Sequence, residues 1–387
     1  MTIFPICILL FILSHISFVY SNNYYLVPFI NNINYDGQLL FSANVGSPPQ
    51  QLTLKFITSS NIIWIANSVY YKKGFNPYKS KTLKKITNPY HLHYQNKDII
   101  CSLVYENISL HNEITANQIM LYLAENGDIG NGLYDGVFGI GLSKDDDNFK
   151  SFLDILISES NLNNKVFAVS NEGIVFGNIV SYLSKNTHYH DDNNKQFLIK
   201  YINLIINQEN LINKKYQITL SLIYVKFKES SKVFYNVNNY YPFRDLNNGN
   251  SNNNIITIRL GSNVILAPLE YFNFIKKEIF GEFIERNICF ETIESKLTFI
   301  ACNGIAIDNY KHFLPILNFI IGKRNIKLNL SKLFRNSDDS RYILFEIMHN
   351  DLDEYKHGWV FGTPILKEYI IIFNNDDNKI AFEKNKL

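Results

Sequence analysis

Residues 54–64 read Leu54-Lys55-Phe56-Ile57-Thr58-Ser59-Ser60-Asn61-Ile62-Ile63-Trp64, and residues 257–268 read Thr257-Ile258-Arg259-Leu260-Gly261-Ser262-Asn263-Val264-Ile265-Leu266-Ala267-Pro268. Leu52, Leu54 and Phe56 alternate with Thr53 and Lys55, so the chain reaches Ile57 as a half-buried strand. The second stretch ends at Ala267-Pro268, where a helix opens. Pro268 suits a first helical turn because its missing N–H costs nothing there. Phe272, Ile275 and Ile279 then share one helix face. Ile57 can neither donate nor accept a proton, and Arg259 stays protonated at any relevant pH.

Both stretches resemble the two active-site loops of pepsin-like aspartic proteases, which run hydrophobic-Asp-Thr-Gly-Ser/Thr-Ser and continue to a Trp in the first lobe and a Pro in the second. Further matches follow in order. Tyr35-Asp36-Gly37, Gly46-Ser47-Pro48-Pro49-Gln50 and Phe75-Asn76-Pro77-Tyr78-Lys79-Ser80-Lys81-Thr82 lie on one side of the flap position, Tyr94. Tyr134-Asp135-Gly136-Val137-Phe138-Gly139-Ile140-Gly141, Tyr216-Gln217-Ile218-Thr219-Leu220, Trp359-Val360-Phe361-Gly362 and Tyr369-Ile370-Ile371-Ile372-Phe373 lie beyond it. Motifs at compatible spacings along a whole chain seldom coincide by chance.

The resemblance implies an all-β, bilobal fold: two β lobes, a central cleft and a few short helices. It divides the chain into residues 1–21 as a signal peptide, 22–190 as an N-terminal β lobe with the flap, and 191–387 as a C-terminal β lobe, joined through the polar stretch 184–196. It places Ile57 and Arg259 where the catalytic aspartates belong, facing each other across the cleft floor. Thr58, Ser60, Tyr94 and Gly261 complete the cleft and flap. Ser59 stands in the place of a glycine, Leu260 in the place of a threonine, and Gln95 and Lys97 in the places of two flap glycines that let a hairpin tip bend. A pepsin-like catalyst needs two carboxylates sharing one proton, so that acid and base coexist. Neither is present here. The resemblance thus implies a secreted pseudoprotease that binds a peptide or protein through its cleft or its outer surface. The alternatives are an aspartic-type endopeptidase with an unusual catalyst, and a structural or receptor-like surface protein with a closed cleft.

A chain of 387 residues with 46% hydrophobic content is long enough for two sizeable cores. Abundant Tyr, Phe, Ile and Val favour strands. A formal charge of +2 gives no electrostatic case for nucleic acid. The Asn- and Lys-rich, Ala-poor composition is similar to that of the plasmepsins, and Asn runs such as 247–254 read as loops. Residues 3–20 are mostly apolar and Val19-Tyr20-Ser21 offers a cleavage site, so the chain is read as entering the secretory pathway, secreted or held in a secretory or vacuolar compartment. An uncleaved N-terminal anchor is the alternative, and the only route to membrane attachment in this reading. So few residues separate the cleavage site from the first mature-type strand that no long prosegment fits.

Cys289 and Cys302 flank a short segment where the family often has a second-lobe disulfide, leaving Cys101 on the flap's return strand without a partner. Cys101 reads as a small half-buried thiol, or more sharply as an intermolecular link. Phe149, Phe152, Leu153, Leu156 and Ile157 repeat at helical spacing after Asp145 to Asp147, which offer caps. His188-Tyr189-His190-Asp191-Asp192 reads as a solvated loop rather than a metal site. His91 and His93 alternate onto one exposed strand face, and Asp98 is a lone carboxylate. Asn107-Ile108-Ser109 and Asn329-Leu330-Ser331 are glycosylation sequons, a short pattern. No cofactor and no metal are expected.

Overall fold

The computed structural model describes residues 24–30, 37–86, 89–94, 97–111, 114–126, 132–142, 150–159, 162, 164–187, 199–205, 215–226, 240–242, 255–294, 297–337, 339–350 and 358–385. These residues form two β lobes with a few short helices. In the first lobe, Gln50–Ile57 lies between Leu40–Val45 and Gly136–Gly139. The sheet continues through Ile63–Ala66, Ile114–Ala124 and Lys97–His111 to the Lys84–Lys85 edge. Lys97–His111 changes register between Glu106 and Ile108, and beyond this bulge Ser109 and Ile108 pair with Asn44 and Val45. A bulge bends a strand sharply, and here it lets the sheet close on itself.

The second lobe repeats this wiring. Phe56 pairs with Phe138 in parallel, and Ile258 pairs with Phe361 in parallel. Trp64 then pairs with Val137 and Tyr122, as Leu266 does with Val360 and Met348. Each active-loop strand thus enters beside an apolar-apolar-Gly strand and leaves along its other edge. The hairpin of Tyr90–Tyr94 on Lys97–His111 has its counterpart in Cys289–Glu294 on Leu297–Asn303. That second hairpin carries the Cys289–Cys302 disulfide, which joins directly opposed residues 13 apart in sequence. Closing so short a loop contributes about 3 kcal/mol in the chain-entropy account.

A third sheet belongs to both halves. Tyr24–Pro28, Gly173–Gly177 and Val166–Val169 continue into Tyr369–Asn374, Lys379–Lys384 and Ile202–Asn203. Phe167 stacks on Phe373 at 4.8 Å, and Tyr216 meets the same Phe373 ring edge-on at 4.6 Å. The Tyr216 hydroxyl donates to Asn375 Oδ1 at 2.9 Å and reaches the Ile140 carbonyl at 3.4 Å. Burial raises this phenol well above its ordinary pKa, so it stays a donor. One continuous apolar core results, running through both lobes.

Of the two helices expected beside the loops, Leu269–Phe274 starts just after Pro268 and continues through a π turn, Ile275–Ile279, into Gly281–Glu285. Phe272, Ile275, Ile279 and Phe283 are buried along it. The other helix is Phe152–Glu159, and it buries Phe152, Leu153, Ile155 and Leu156, with Ile157 only half-buried. Asp145 to Asp147 and Phe149 lie outside the described residues. Ser151 does the capping: Asp154 N donates to Ser151 Oγ at 3.3 Å, and Ser151 N donates back to Asp154 Oδ2 at 2.9 Å. This reciprocal pair is a capping box with Asp in the third position. Residues 188–196 of the proposed connection, with His188 and His190, also lie outside the described set, as do residues 1–23.

Burial alone would raise the Asp154 carboxyl. Hydrogen bonds from Lys165 and Ser151, with the Lys165 charge at 2.6 Å, outweigh it and hold the pKa below its ordinary value. A lowered carboxyl pKa stabilises the fold above the unfolded-state value, about 4, and that contribution disappears as pH falls through the lower folded value. Asp154→Asn should therefore cost about 1 kcal/mol at neutral pH. In urea titrations the gap between parent and variant should close steadily below about pH 4. A gap unchanged by acid would show that the carboxylate is not what holds this cap.

Candidate functional site

The two quoted stretches meet. Thr58 is buried, its Oγ1 accepts from Leu260 N at 3.0 Å, and its own N–H donates to the Leu260 carbonyl at 3.2 Å. Gly261 has φ +93°, and a Cβ added there would lie 2.5 Å from the Phe56 carbonyl oxygen and 2.7 Å from Ile57 Cγ2. Only glycine tolerates both that backbone angle and that approach. Ile57, Thr58, Leu260 and Gly261 are thus brought together across the lobes. Arg259 is next in the chain to Leu260 and half-exposed.

Each loop is braced from beneath. In the first, Ile140 N donates to the Ile57 carbonyl at 3.0 Å, Gly141 N to the Ser60 carbonyl at 2.8 Å, and Ile62 N to Ser60 Oγ at 3.1 Å. In the second, Arg259 N donates to the Phe361 carbonyl at 2.9 Å and Thr363 N to the Ser262 carbonyl at 2.7 Å. Gly261 N donates to Thr363 Oγ1 at 3.2 Å. A Cβ at Gly362 would meet the Val264 carbonyl oxygen at 2.0 Å, so the bracing strand can lie this close only with glycine there. Thr363 was not singled out from the sequence. Its signal was its place just after Trp359-Val360-Phe361-Gly362.

The surroundings of the two loops differ in character. Ile57 is buried in an apolar cluster with Leu40, Trp64, Leu92, Ile99, Tyr134 and Val137. Leu92 and Ile99 are opposed residues of the flap hairpin, so the hairpin packs into the same cluster as Ile57. Cys101 belongs to the same cluster. It is free and fully buried rather than half-buried, and burial, then the Glu125 charge, push its thiol up to about 12. Such a thiol is inert and out of reach of an intermolecular partner. The second loop's cluster holds Val264, Leu266, Phe299, Leu344, Met348 and Val360, and does not include Arg259.

Tyr94 ends the Tyr90–Tyr94 strand opposite Lys97, and the described residues stop there, short of Gln95 and Asn96. His91 and Asp98 on the same hairpin are exposed. Asn107 sits in mid-strand, its Oδ1 accepting from Gln118 N at 2.9 Å and Gln118 Nε2 at 3.3 Å. Asn329 caps the turn Leu330–Lys332, its Oδ1 accepting from Ser331 Oγ at 2.8 Å. Among the described residues no group of three or more His, Cys, Asp or Glu is placed to hold a metal ion, and no helix is long and apolar enough to cross a membrane.

Two loops braced alike and touching across two lobes are matched, over residues 40–385, by the family model for eukaryotic aspartyl protease. The chain belongs to this family. Among curated relatives it is 26% identical over 147 residues to syncephapepsin of Syncephalastrum racemosum, 36% of this chain and 37% of that protein. It is 28% identical over 114 residues to chymosin of Camelus dromedarius, 27% of this chain and 30% of that one. Against chymosin of Bos taurus it is 29% identical over 123 residues, 30% of this chain and 32% of the relative. The matched stretch therefore spans about a third of the length of these relatives.

The Thr58 hydroxyl is the hinge of this geometry. Thr58→Val keeps the shape and removes the acceptor, leaving the buried Leu260 N–H unpaired, which costs about 1–3 kcal/mol. Thr58→Ser should lose much less. Chemical denaturation of both variants checks this, and a larger loss in Thr58→Ser than in Thr58→Val would mean that the methyl group, not the hydroxyl, holds the loops together.

Proposed function

We propose that this eukaryotic aspartyl protease homologue is a non-catalytic member of its family, a pseudoprotease whose cleft binds a peptide or protein segment. The observation that carries the proposal is the identity of Ile57 and Arg259 in loops that meet through Thr58, Leu260 and Gly261. The family's chemistry requires two carboxyls that split their pKa values by proximity. An alkyl group and a permanent cation supply neither an acid nor a base in the working range. The burial of Ile57 in an apolar cluster adds to this, because an alkyl side chain there can neither donate a hydrogen bond to water nor accept one from it.

The same reading assigns the cleft a polarity. An extended peptide would meet an apolar wall at Ile57 and a guanidinium at Arg259, a planar donor fork that suits a carboxylate. The secretory route is part of the proposal, and the Cys289–Cys302 disulfide supports it, since such bonds persist in oxidising compartments. The plasmepsin-like affinity stays a matter of composition. The second reading, an aspartic-type endopeptidase with an unusual catalyst, is favoured by the family description alone.

The decisive assay is digestion of unfolded protein substrates from acid to neutral pH, with and without a pepstatin-type inhibitor. The expected result is no inhibitor-sensitive cleavage at any pH. Cleavage that the inhibitor blocks would establish the second reading. For the cleft, a partner captured by the parent chain should be lost with Arg259→Asp and weakened about tenfold or more with Arg259→Lys, because the bidentate fork is gone. Undiminished binding by both variants would move the binding site off the cleft.

A further inference from the structure

The nearly neutral total conceals a strongly segregated charge. Between Gly37 and Lys97 there are eight lysines and no Asp or Glu, so the rest of the chain carries 29 basic against 35 acidic residues. Six of the eight, Lys72, Lys73, Lys79, Lys81, Lys84 and Lys85, fall within 14 consecutive residues, and all six side chains are exposed. None of the six takes part in a salt bridge among the described residues. Large exposed side chains are interleaved with them: Tyr78 is 85% exposed, Tyr70 60%, Val69 50% and, beyond Lys85, Tyr90 45%.

The backbone under this array is tied down. Phe75 is fully buried, and its N–H donates to the Ala66 carbonyl at 2.8 Å. Asn76 exchanges two hydrogen bonds with Gln50, at 2.8 and 2.9 Å. Lys81 N donates to the Ser47 carbonyl at 2.7 Å, Thr82 Oγ1 donates to Glu106 Oε1 at 2.5 Å, and Lys84–Lys85 pairs with Tyr105 and Val104. Three carboxylates of the neighbouring elements are engaged elsewhere: Glu106 is buried on Thr82, Glu125 accepts from Ser102 Oγ, and Glu159 accepts from Asn117. The cations therefore stand on a backbone that is tied down, and among the described residues none of the six pairs with an acidic side chain.

Charges on a sheet edge often serve to discourage strand pairing, and that explains Lys84 and Lys85. It does not explain Lys72, Lys73, Lys79 and Lys81, which lie outside any strand, nor the exposed tyrosines beside them. We propose that this ridge is a docking surface for an anionic lipid bilayer. The chemistry favours a diffuse planar anion over a specific acidic peptide. The segment has no Arg to fork onto a carboxylate, whereas lysines act as point charges that a field of headgroups satisfies without fixed geometry. Tyrosine, with an apolar body and a polar tip, is suited to the level of the headgroups. None of the six lysines belongs to either active loop, residues 54–64 and 257–268.

The test is co-sedimentation of the purified full chain with phosphatidylcholine vesicles, with and without phosphatidylserine, at low and raised salt. The ratio of binding to the two vesicle types removes any contribution from the apolar N-terminal residues, which does not depend on lipid charge. The expected result is binding that requires phosphatidylserine and weakens as salt is raised. Lys79→Gln, Lys81→Gln, Lys84→Gln and Lys85→Gln together should lower it at least tenfold, at about fivefold per lysine that reaches the surface. Tyr78→Ala should lower it severalfold while leaving the salt dependence unchanged. Equal binding to both vesicle types, or a quadruple variant that binds like the parent, would overturn the proposal. Capture by polyglutamate with no binding to vesicles would also overturn it, in favour of an acidic protein partner.

Discussion

Everything distinctive about this molecule depends on the contact between Thr58 and Leu260. Two backbone segments from separate halves of the chain approach until an N–H of one finds a hydroxyl of the other. They approach that closely only because Gly261, at φ +93°, presents no side chain to Ile57. The contact is buried, so each hydrogen bond in it is strengthened by low polarity and each unmet donor would be expensive. Its pairing is lopsided. Thr58 contributes a hydroxyl and an N–H, while Leu260 contributes only backbone atoms. A near-symmetric scaffold thus closes through a contact in which only one side supplies a side-chain hydroxyl, and the Leu260 side chain is fully buried.

The same asymmetry extends to the floor of the cleft. The braces beneath the two loops match pair by pair, from Phe56–Phe138 against Ile258–Phe361 to Trp64–Val137 against Leu266–Val360. Residues that hold backbone to backbone have kept the symmetry. The side chains at the matching places differ: Ile57 lies in an apolar cluster with residues of the flap hairpin, and Arg259 is a partly exposed cation. The symmetry is carried by main-chain hydrogen bonds and close packing, which do not depend on what these two side chains are.

What the sequence revealed follows from where its physical signals are local. The loops, the disulfide between Cys289 and Cys302 and the helix after Pro268 were legible, since Gly, Cys and Pro are restricted to special geometry. The helix Phe152–Glu159 was legible from its spacing, but its cap was misplaced onto Asp145 to Asp147. Ser151 and Asp154 satisfy the capping pattern only once the first helical residue is known. The burial of Cys101 was underestimated because it depends on Leu92 and Ile99 from the hairpin and on Ile57 from a distant loop. Thr363 was missed for the same reason: its partner, Gly261, is 102 residues away. Contacts of that range leave no trace in periodicity.

A final step concerns stability. Two carboxylates held close repel each other, and a protein that keeps them does so at a cost in folding free energy. Residues 57 and 259 are Ile and Arg, so these two positions carry no such cost. Ile57 instead contributes to an apolar cluster, and full burial of such a side chain is worth about 1.5–3 kcal/mol relative to exposure. The exchange does not extend to Arg259, which is only partly buried and brings a charge that full burial would make costly. If both positions had changed only to relieve repulsion, the second would be expected to turn apolar as the first did. Relief of repulsion thus accounts for an apolar residue at position 57 and leaves the choice of arginine at 259 to the other interactions of that side chain.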